Sequence, residues 1–317
     1  MTRFLLGRLL SLVLTLLAAS LVIFAIIEIL PGDPARYMLG LNADAQAVAN
    51  LRAELGLDQP FWVRYFEWLF GMARGDFGQS FTYRTPVADL ILERLSVSAP
   101  LAIAALLLST TLAISAALAA VTWRGKWAET FILAGAQAGV ATPNFWLAIL
   151  FVNIFANLLG WFPAGGFPGW DAGIGPAFAA LALPTLALAA PQAAVLTRVA
   201  RSALIETMGQ DYVTTARAKG ASRWQALTRH ALPNALIPIL TILGLQFTFL
   251  LAGAVIVESV FYLPGLGRLV LQAIAQRDLV VVRGVVMVLV FAAIFVTLIV
   301  DLLYVWADPR LRPRAAA

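Results

Sequence analysis

Residues 9–30 read LLSLVLTLLAASLVIFAIIEIL, a run of 22 residues in which Glu28 is the single charged side chain. A bilayer core about 30 Å thick is crossed by about 20 apolar residues in a helix that rises about 1.5 Å per residue. This run is therefore long enough to span a membrane. Arg3 and Arg8 precede it, but the run exceeds the apolar part of a secretory signal peptide, about 7–15 residues. We predict a retained anchor.

The same apolar character extends over the whole chain of 317 residues, which is 61% hydrophobic and 12% charged. Soluble domains are about 45–50% apolar and about 25% charged, so a soluble fold and intrinsic disorder are both excluded. Cysteine is absent and His230 is the one histidine. Disulfides, thiolate metal sites and paired-histidine zinc sites are excluded, and no metal site is expected. The net charge of +5 does not indicate nucleic acid, because charge placement matters more in a membrane protein.

Six apolar windows of sufficient length predict six transmembrane helices in an all-α integral membrane protein. The windows cover roughly residues 9–30, 100–121, 131–159, 177–199, 235–257 and 284–306. The third window is long enough to cross as one tilted helix. Pro143, Pro184, Pro191 and Pro238 lie inside windows, where proline removes a backbone donor and bends a helix, although proline is also common in membrane helices generally.

An even number of spans places both termini on one side of the membrane, and Lys and Arg indicate which side. Thirteen of the 22 cations fall on the side that holds both termini, against four acids. We therefore expect both termini in the cytoplasm. The expected organisation is residues 1–30 as N-terminus and first helix, 31–99 as an extracytoplasmic segment, 100–306 as the five-helix core, and 307–317 as a cytoplasmic tail.

The segment 31–99 is too long for a plain linker and is predicted to fold into helices. Asp33 before Pro34 has the pattern of a helix start, and residues 43–55 have helical composition that ends at Gly56. Two rows at i, i+4 spacing follow, Phe61, Tyr65 and Leu69 and, beside them, Trp62, Phe66 and Phe70. These rows indicate either a helix in the outer headgroup layer or the core face of a small external subdomain.

The loop 202–232 reads SALIETMGQDYVTTARAKGASRWQALTRHAL. Local rules predict two short helices, of which the first ends with Lys219 and a left-handed Gly220 and the second starts with Ser222 as N-cap. We call this segment, residues 202–232, the elbow. Its cations are Arg217, Lys219, Arg223 and Arg229, and its candidate apolar anchors are Trp224 and Leu227. Such a knob suits docking to another subunit, or clamping of anionic lipid headgroups.

This loop resembles the signature loop of ABC importer permeases, which is E-A-A, three residues, Gly, nine residues, Ile, one residue and Leu-Pro. Ala216, Gly220, Leu232 and Pro233 match, while Thr214 and His230 replace the acid and the isoleucine. The form T-A-R-A-K-G is typical of the dipeptide/oligopeptide/nickel branch. Further motifs similar to that branch are LPGDPA at 30–35, LGLDQP at 55–60, GDFGQS at 75–80, PNFWLA at 143–148, WFP at 161–163, LPGLG at 263–267 and DPRLR at 308–312.

The resemblance implies a type I ABC importer permease fold, with the helical insertion between helices 1 and 2, in a bacterial inner membrane. It also implies the partners: a second, similar permease in a heterodimer, two ATPase subunits that hold ATP and Mg²⁺, and an extracytoplasmic solute-binding protein. The expected ATPase-coupling residues are Thr214, Thr215, Ala216, Arg217, Lys219, Gly220, Ser222, Arg223, Trp224, Arg229, Leu232 and Pro233.

The chain has no ATP-binding motif of its own. A P-loop requires G-x-x-x-x-G-K-[ST], and the one Gly-Lys pair is Gly125-Lys126, which Trp127 follows. We therefore expect no bound cofactor and no catalytic residue, and energy must arrive through the elbow.

Neutral polar residues inside the windows are candidates for a substrate path or for bonds between helices. They are Asn144, Asn153, Asn157 and Gln246. After the fifth window, the resemblance implies contact with the binding protein at Glu258, Leu263, Pro264 and Gly265, a stretch that by itself has the pattern of an ordinary connection.

The expected function is import of di- or oligopeptides by alternating access, or of nickel chelates, glutathione or opines by the same machinery. An ion-coupled secondary transporter is a more distant alternative. Against it, Glu28, Glu258 and Asp301 lie near window ends and form no carboxylate chain for ion coupling. An intramembrane serine protease is disfavoured because the one histidine lies on the elbow, away from any nucleophile at membrane depth.

Overall fold

The computed structural model describes residues 2–29, 34–40, 43–54 and 56–307, and the chain folds into helices along these ranges. The helices are α1 (Thr2–Ile29), α2 (Pro34–Leu39), α3 (Ala45–Glu54), α4 (Phe61–Ala73), α5 (Val87–Thr122), α6 (Trp127–Ala141), α7 (Asn144–Leu158), α8 (Ile174–Met208), α9 (Asp211–Ala218), α10 (Arg223–Val260), α11 (Leu266–Ala275) and α12 (Leu279–Ala307). The expected cap at Asp33, the motif residues 30–33 and the tail residues 308–317 lie outside the described residues.

Five helices, α1, α5, α8, α10 and α12, are long and apolar enough to cross a membrane. Helices α5, α8, α10 and α12 each contain one of the windows that the sequence predicts and extend beyond it, and α1 covers the first window as far as Ile29. Helix α5 begins at Val87, so the last residues of the segment 31–99 form the first turns of the second membrane helix. In that segment α3 ends at Glu54, and Gly56 follows it with a φ of +65°, as the helix-stop pattern predicts.

The third window does not form one tilted helix, so that prediction is wrong. It is divided between α6 and α7, which are bent by 102° at a short break, and the pair makes a sixth span only if it crosses as one unit. Thr142 ends α6 in an extended conformation, φ −95° and ψ 120°, and Pro143 precedes α7. Proline disfavours helical geometry in the residue before it, which explains the break. By contrast, α8 and α10 continue through Pro184, Pro191 and Pro238.

The chain divides into two compact units, residues 1–6, 99–263 and 295–317 in the first and residues 7–98 and 264–294 in the second. In the first unit, α8 packs against α6, α7 and α10. Gly139 of α6 lies so close to α8 that a Cβ there would be 2.8 Å from the Cβ of Ala194. Small residues allow this close approach of membrane helices. Val121, Leu204 and Leu227 belong to a buried cluster that joins α5, α8 and α10.

In the second unit, α1 packs on α4 through aromatic rings. Phe24 of α1 contacts Phe61, Tyr65 and Trp68 of α4, with ring centroids 5.2–5.6 Å apart. The hydroxyls of Ser20 and Tyr65 are hydrogen-bonded at 2.9 Å. The row that contains Tyr65 is therefore a core face. The other row stays exposed, and it comprises Trp62, Phe66 and Phe70.

A buried carboxylate fixes the connection between α4 and α5 to the start of α12, also within the second unit. Asp278 accepts hydrogen bonds from the Ser80 hydroxyl at 2.6 Å and from the Thr82 amide at 3.0 Å. Its second oxygen accepts from the Val281 amide at 3.3 Å, which caps the first turn of α12. Asp278 therefore orders a connection that otherwise has little regular structure.

Candidate functional site

The elbow, residues 202–232, comprises the end of α8, the short helix α9, a tight turn and the start of α10, all within the first unit. Gly220 follows α9 with a φ of +98°, as predicted. Its amide donates to the Arg217 carbonyl at 3.0 Å, and the Ala221 amide donates to the Ala216 carbonyl at 3.1 Å. This pair of bonds is the Schellman motif, which needs a left-handed residue and therefore favours glycine. The Schellman motif therefore fixes the direction in which the chain leaves α9 toward α10.

The second part of the elbow starts with a complete capping box. The Ser222 hydroxyl accepts from the Gln225 amide at 3.2 Å, and the Gln225 side chain accepts from the Ser222 amide at 3.0 Å. The N-cap at Ser222 is thereby confirmed. Gln225 was not among the predicted residues, although Ser followed three residues later by Gln is the known signal for this box.

The predicted short second helix is instead the beginning of α10. Residues Arg223–Gln225 continue through a π-helical turn, Ala226–Ala231, into Leu232–Val260. Pro233 lies at the start of the last stretch, where its missing amide proton is tolerated. The Asn234 side chain donates to the His230 carbonyl at 2.9 Å and satisfies an acceptor there. The elbow is therefore continuous with a membrane helix.

Buried side chains and one hydrogen bond fix the elbow to the rest of the first unit. Val213 of α9 is fully buried. Leu227 is buried in the cluster with α5 and α8, so it is not an apolar anchor for a partner, because its contacts lie inside the chain. A guanidinium nitrogen of Arg223 donates to the Val121 carbonyl at 3.1 Å, near the end of α5. A cation is favoured at that helix end.

The outer surface of the elbow carries cations and aromatic rings. Arg217, Lys219 and Arg229 are exposed, and the Trp224 ring is 54% exposed. Tyr212 of α9 is also exposed, and partial burial raises the pKa of its phenol above the ordinary value. Tyr212 was not among the predicted residues, since one aromatic residue on a short helix has no distinctive pattern.

Thr214 and Thr215, which stand at the first two signature positions, are exposed on α9. The Thr215 hydroxyl donates to the Asp211 carbonyl at 2.8 Å, and the Thr214 hydroxyl donates to the Gln210 carbonyl at 3.4 Å. Both hydroxyls are thus engaged with the preceding turn of the same helix. The two side chains present mainly their methyl groups for contact with a partner.

An ion pair connects the turn between α5 and α6 to α8, just before the elbow. Arg201 donates through Nε to Glu129 at 2.9 Å and through a second nitrogen to the same oxygen. The other Glu129 oxygen accepts from the Gly125 amide at 2.7 Å. This pair could not be predicted from the sequence, because the two residues are 72 positions apart and neither has a local signal. The pair holds the short turn 123–126 against α8.

The four candidate path residues do not share one environment. Gln246 is buried and donates to the Gln192 carbonyl of α8 at 2.7 Å, which is the helix-to-helix bond that the sequence left open. Asn144 lies against Gly253 of α10, where a Cβ would approach its amide nitrogen to 2.3 Å. Asn153 and Asn157 are exposed on the π-helical end of α7. Of the four, these two are the exposed ones.

The predicted binding-protein contacts are mostly inside the molecule. Glu258, Leu263 and Gly265 are buried, and Pro264 is half-buried. The Leu263 amide donates to the Glu258 carbonyl at 2.9 Å, which closes a turn after α10. Their neighbour Tyr262 is exposed and has a φ of +53°.

Comparisons with known proteins give the family. The model described as binding-protein-dependent transport system inner membrane component matches residues 109–313, and the model of its N-terminal part matches residues 1–102. The chain belongs to this family. A Brucella abortus (strain 2308) protein, provisionally named a peptide transport system permease, is 41% identical over 98% of this chain and 99% of its own length. The glutathione transport system permease protein GsiC of Escherichia coli K12 is 37% identical over the same shares.

Solved structures agree on the fold of this permease. An amino acid ABC transporter crystallised with histidines matches with a TM-score of 0.53 and 18% identity, over 69% of this chain and 94% of that chain. An inward-facing form of the MetNI methionine ABC transporter matches with a TM-score of 0.56 and 17% identity, over 69% and 96%. The all-helical type I importer fold is thereby confirmed. The protein is an inner-membrane ABC importer permease subunit, and its family implies ATPase and binding-protein partners.

Proposed function

We propose that this permease imports di- or oligopeptides, or solutes of similar size, as one of two non-identical membrane subunits. In the proposed complex, two ATPase subunits bind ATP and Mg²⁺ and dock on the elbow. An extracytoplasmic binding protein delivers the substrate, and both termini of the permease lie in the cytoplasm.

The observation that carries the coupling step is the construction of the elbow. Its exposed surface presents Arg217, Lys219 and Trp224, a combination of cations and one aromatic ring that suits a protein interface. Its inner side is buried or hydrogen-bonded to α5. A displacement of the exposed surface of the elbow by the ATPases is therefore transmitted to the packed membrane helices, because the elbow does not bend locally.

Transport by this permease follows from a shift between two states of the bundle. The elbow and α10 form one helical path from Arg223 to Val260. Closure of the ATPase pair displaces the elbow and tilts α10, and the two bundle states differ in their contacts with the ATPases. That difference in contact energy shifts the equilibrium between the inward-open and outward-open states of the permease.

The peptide substrate is supported by the names of relatives that align over nearly the whole chain, one with peptide transport and one with glutathione transport. Glutathione is itself a short peptide, so the two names describe similar chemistry. The same machinery with nickel chelates or opines remains the alternative, and the associated binding protein distinguishes among these.

Reconstitution tests the energy source and the substrate together. The purified complex in proteoliposomes should take up a labelled dipeptide when ATP is inside and binding protein is outside, and unlabelled peptides should compete. Uptake that survives ATP depletion and collapses with the ion gradient would favour a secondary transporter. Mass spectrometry of ligands on the co-purified binding protein identifies the substrate class.

A matched pair of variants tests docking at the elbow. Trp224→Ala removes the exposed ring of the elbow and should weaken ATPase binding by about tenfold or more. Trp161→Ala removes a ring that is 66% exposed in the loop after α7 and should leave that affinity unchanged. Equal affinities for both variants would refute docking at this surface.

A further inference from the structure

Three helices of the second unit line an open apolar cavity of about 470 Å³. Its lining comes from α1, α4 and α12 and from the loop residue Phe77, with Leu17, Leu69 and Met287 as examples. Helices α1 and α12 are long apolar spans, so the medium around this cavity is lipid. Apolar cavities do not retain water but do take up hydrocarbon. The cavity therefore suits an acyl chain.

A polar layer lies one or two helical turns from the cavity lining, on the same faces of the same helices. Arg283 stands one turn before Met287 on α12, Trp68 stands one turn before Met72 on α4, and Phe24 stands two turns after Leu17 on α1. The Arg283 guanidinium lies over the Phe24 ring at 5.0 Å and over the Trp68 ring at 5.4 Å. A cation between two rings is attracted by both.

The charges in this layer do not cancel. Glu28 is engaged by both terminal nitrogens of Arg64, one of them at 3.0 Å, and the Arg64 Nε donates to the Gln59 carbonyl at 3.1 Å. The Glu28 carboxylate is thus hydrogen-bonded to Arg64, and its single negative charge cannot neutralise both Arg64 and Arg283. Among the described residues, the buried Nε of Arg283 and the buried Nε1 of Trp68 have no hydrogen-bond acceptor.

Two buried donors and one excess positive charge at the end of an apolar cavity require an anion with a hydrocarbon tail. Buried polar groups are nearly always hydrogen-bonded, and a charged side chain in a membrane helix marks a ligand or a partner. A phosphodiester carries one negative charge and accepts charge-assisted hydrogen bonds. Phe70 and Phe291, which also line the cavity, are 59% and 47% exposed, so the cavity opens toward the bilayer.

We propose that the second unit binds one phospholipid, with an acyl chain in the cavity and the phosphate on Arg283 and Trp68. This site is independent of the peptide substrate and of the elbow. The lipid fills the space between α1, α4 and α12 and supplies the acceptors that these helices lack.

Quantification of retained lipid tests the proposal on the intact transport complex. After extensive detergent washing, lipids are extracted, and phospholipid per permease chain is measured by mass spectrometry. The wild type should retain one phospholipid. Arg283→Gln should reduce retention by about tenfold, because a charge-assisted bond is lost. Ala73→Phe, which fills the cavity from the end of α4, should reduce it similarly.

Two control variants lie in the same unit but outside the cavity. Arg74→Gln removes an exposed cation just after α4, and Ala49→Phe adds a ring on the exposed face of α3. Both should retain lipid as the wild type does. No retained phospholipid in the wild type, or equal retention in variants and controls, would overturn the site.

Crosslinking distinguishes lipid from other occupants of the cavity. A phospholipid with a photoreactive acyl chain should label peptides of α4 and α12 in nanodiscs. Because the chain has no cysteine, Ala73→Cys provides a single thiol at the cavity. Labelling of that thiol with a maleimide photocrosslinker that then joins it to a helix of the second membrane subunit, or displacement of bound lipid by inorganic phosphate alone, would overturn the proposal.

Discussion

Replacing Gly220 by valine tests whether the elbow transmits force. Gly220 has a φ of +98°, and a Cβ added there would meet no atom within 4 Å. The cost is therefore conformational and not steric. A β-branched residue in this region of backbone space costs about 1–3 kcal/mol, while a domain is stable by about 5–15 kcal/mol. The variant should fold, but the native turn should be less populated by about fivefold to 150-fold.

The assay is ATP-driven uptake by proteoliposomes that contain equal amounts of assembled complex. Gly220→Val should lower substrate uptake at least fivefold while ATP hydrolysis continues, since the two activities become uncoupled. Gly220→Asn is the matched control, because asparagine tolerates the left-handed conformation. Gly160→Val places the same strain, at φ +65° in open space, far along the chain from the elbow. Normal uptake by Gly220→Val in an assembled complex would refute the reasoning.

Three side chains should each contribute measurably to stability. Glu129→Gln removes the charge that Arg201 pairs with, and the free energy of unfolding should fall by about 2 kcal/mol, seen as a lower thermal midpoint in detergent. Asp278→Ala leaves the Ser80 and Thr82 donors without an acceptor, which should cost about 2–3 kcal/mol and speed proteolysis of the connection 74–86. Ser222→Ala removes the N-cap of α10 and should cost about 1 kcal/mol, measured by hydrogen exchange in the first turn.

Conservative variants supply the controls for these three predictions. Arg201→Met should cost less in the Glu129→Gln background than alone, because the pair is already broken. Asp278→Asn retains one acceptor oxygen, and Ser222→Thr retains the capping hydroxyl. If Asp278→Ala and Ser222→Ala proved as stable as these controls, and if Arg201→Met cost the same in both backgrounds, the hydrogen bonds described above would contribute nothing to stability.

The turn of the elbow could be predicted from the sequence because its geometry depends on neighbouring residues alone. The left-handed Gly220 and the N-cap Ser222 follow from backbone rules over five or six positions. The orientation of Leu227 could not be predicted in the same way. Whether this side chain points outward or into the core depends on α5 and α8, which lie far away in sequence. The ion pair of Glu129 and Arg201 could not be predicted either, because its two residues also lie far apart in the sequence.

The membrane helices could be predicted from the length of the apolar windows, but a bend of the chain inside a window could not. Hydropathy over residues 131–159 counts apolar residues and does not register the 102° bend, although Pro143 and its extended neighbour Thr142 mark its position. Burial of Glu258 and Leu263 was missed for a related reason. A resemblance indicates which positions belong to a motif, and it does not say which side chains are accessible in a given conformation.

Hydrogen bonds fix both ends of helix α10 to other parts of the first unit. Arg223 is bonded to the Val121 carbonyl, and the carbonyl of Phe261, just after Val260, accepts from the Gly166 amide at 2.8 Å. Each residue of a helix adds about 100° of rotation and about 1.5 Å of rise. One inserted or deleted residue would therefore turn one attachment about a quarter-circle out of phase with the other. Natural variation in this stretch should accordingly change side chains while keeping the number of residues constant.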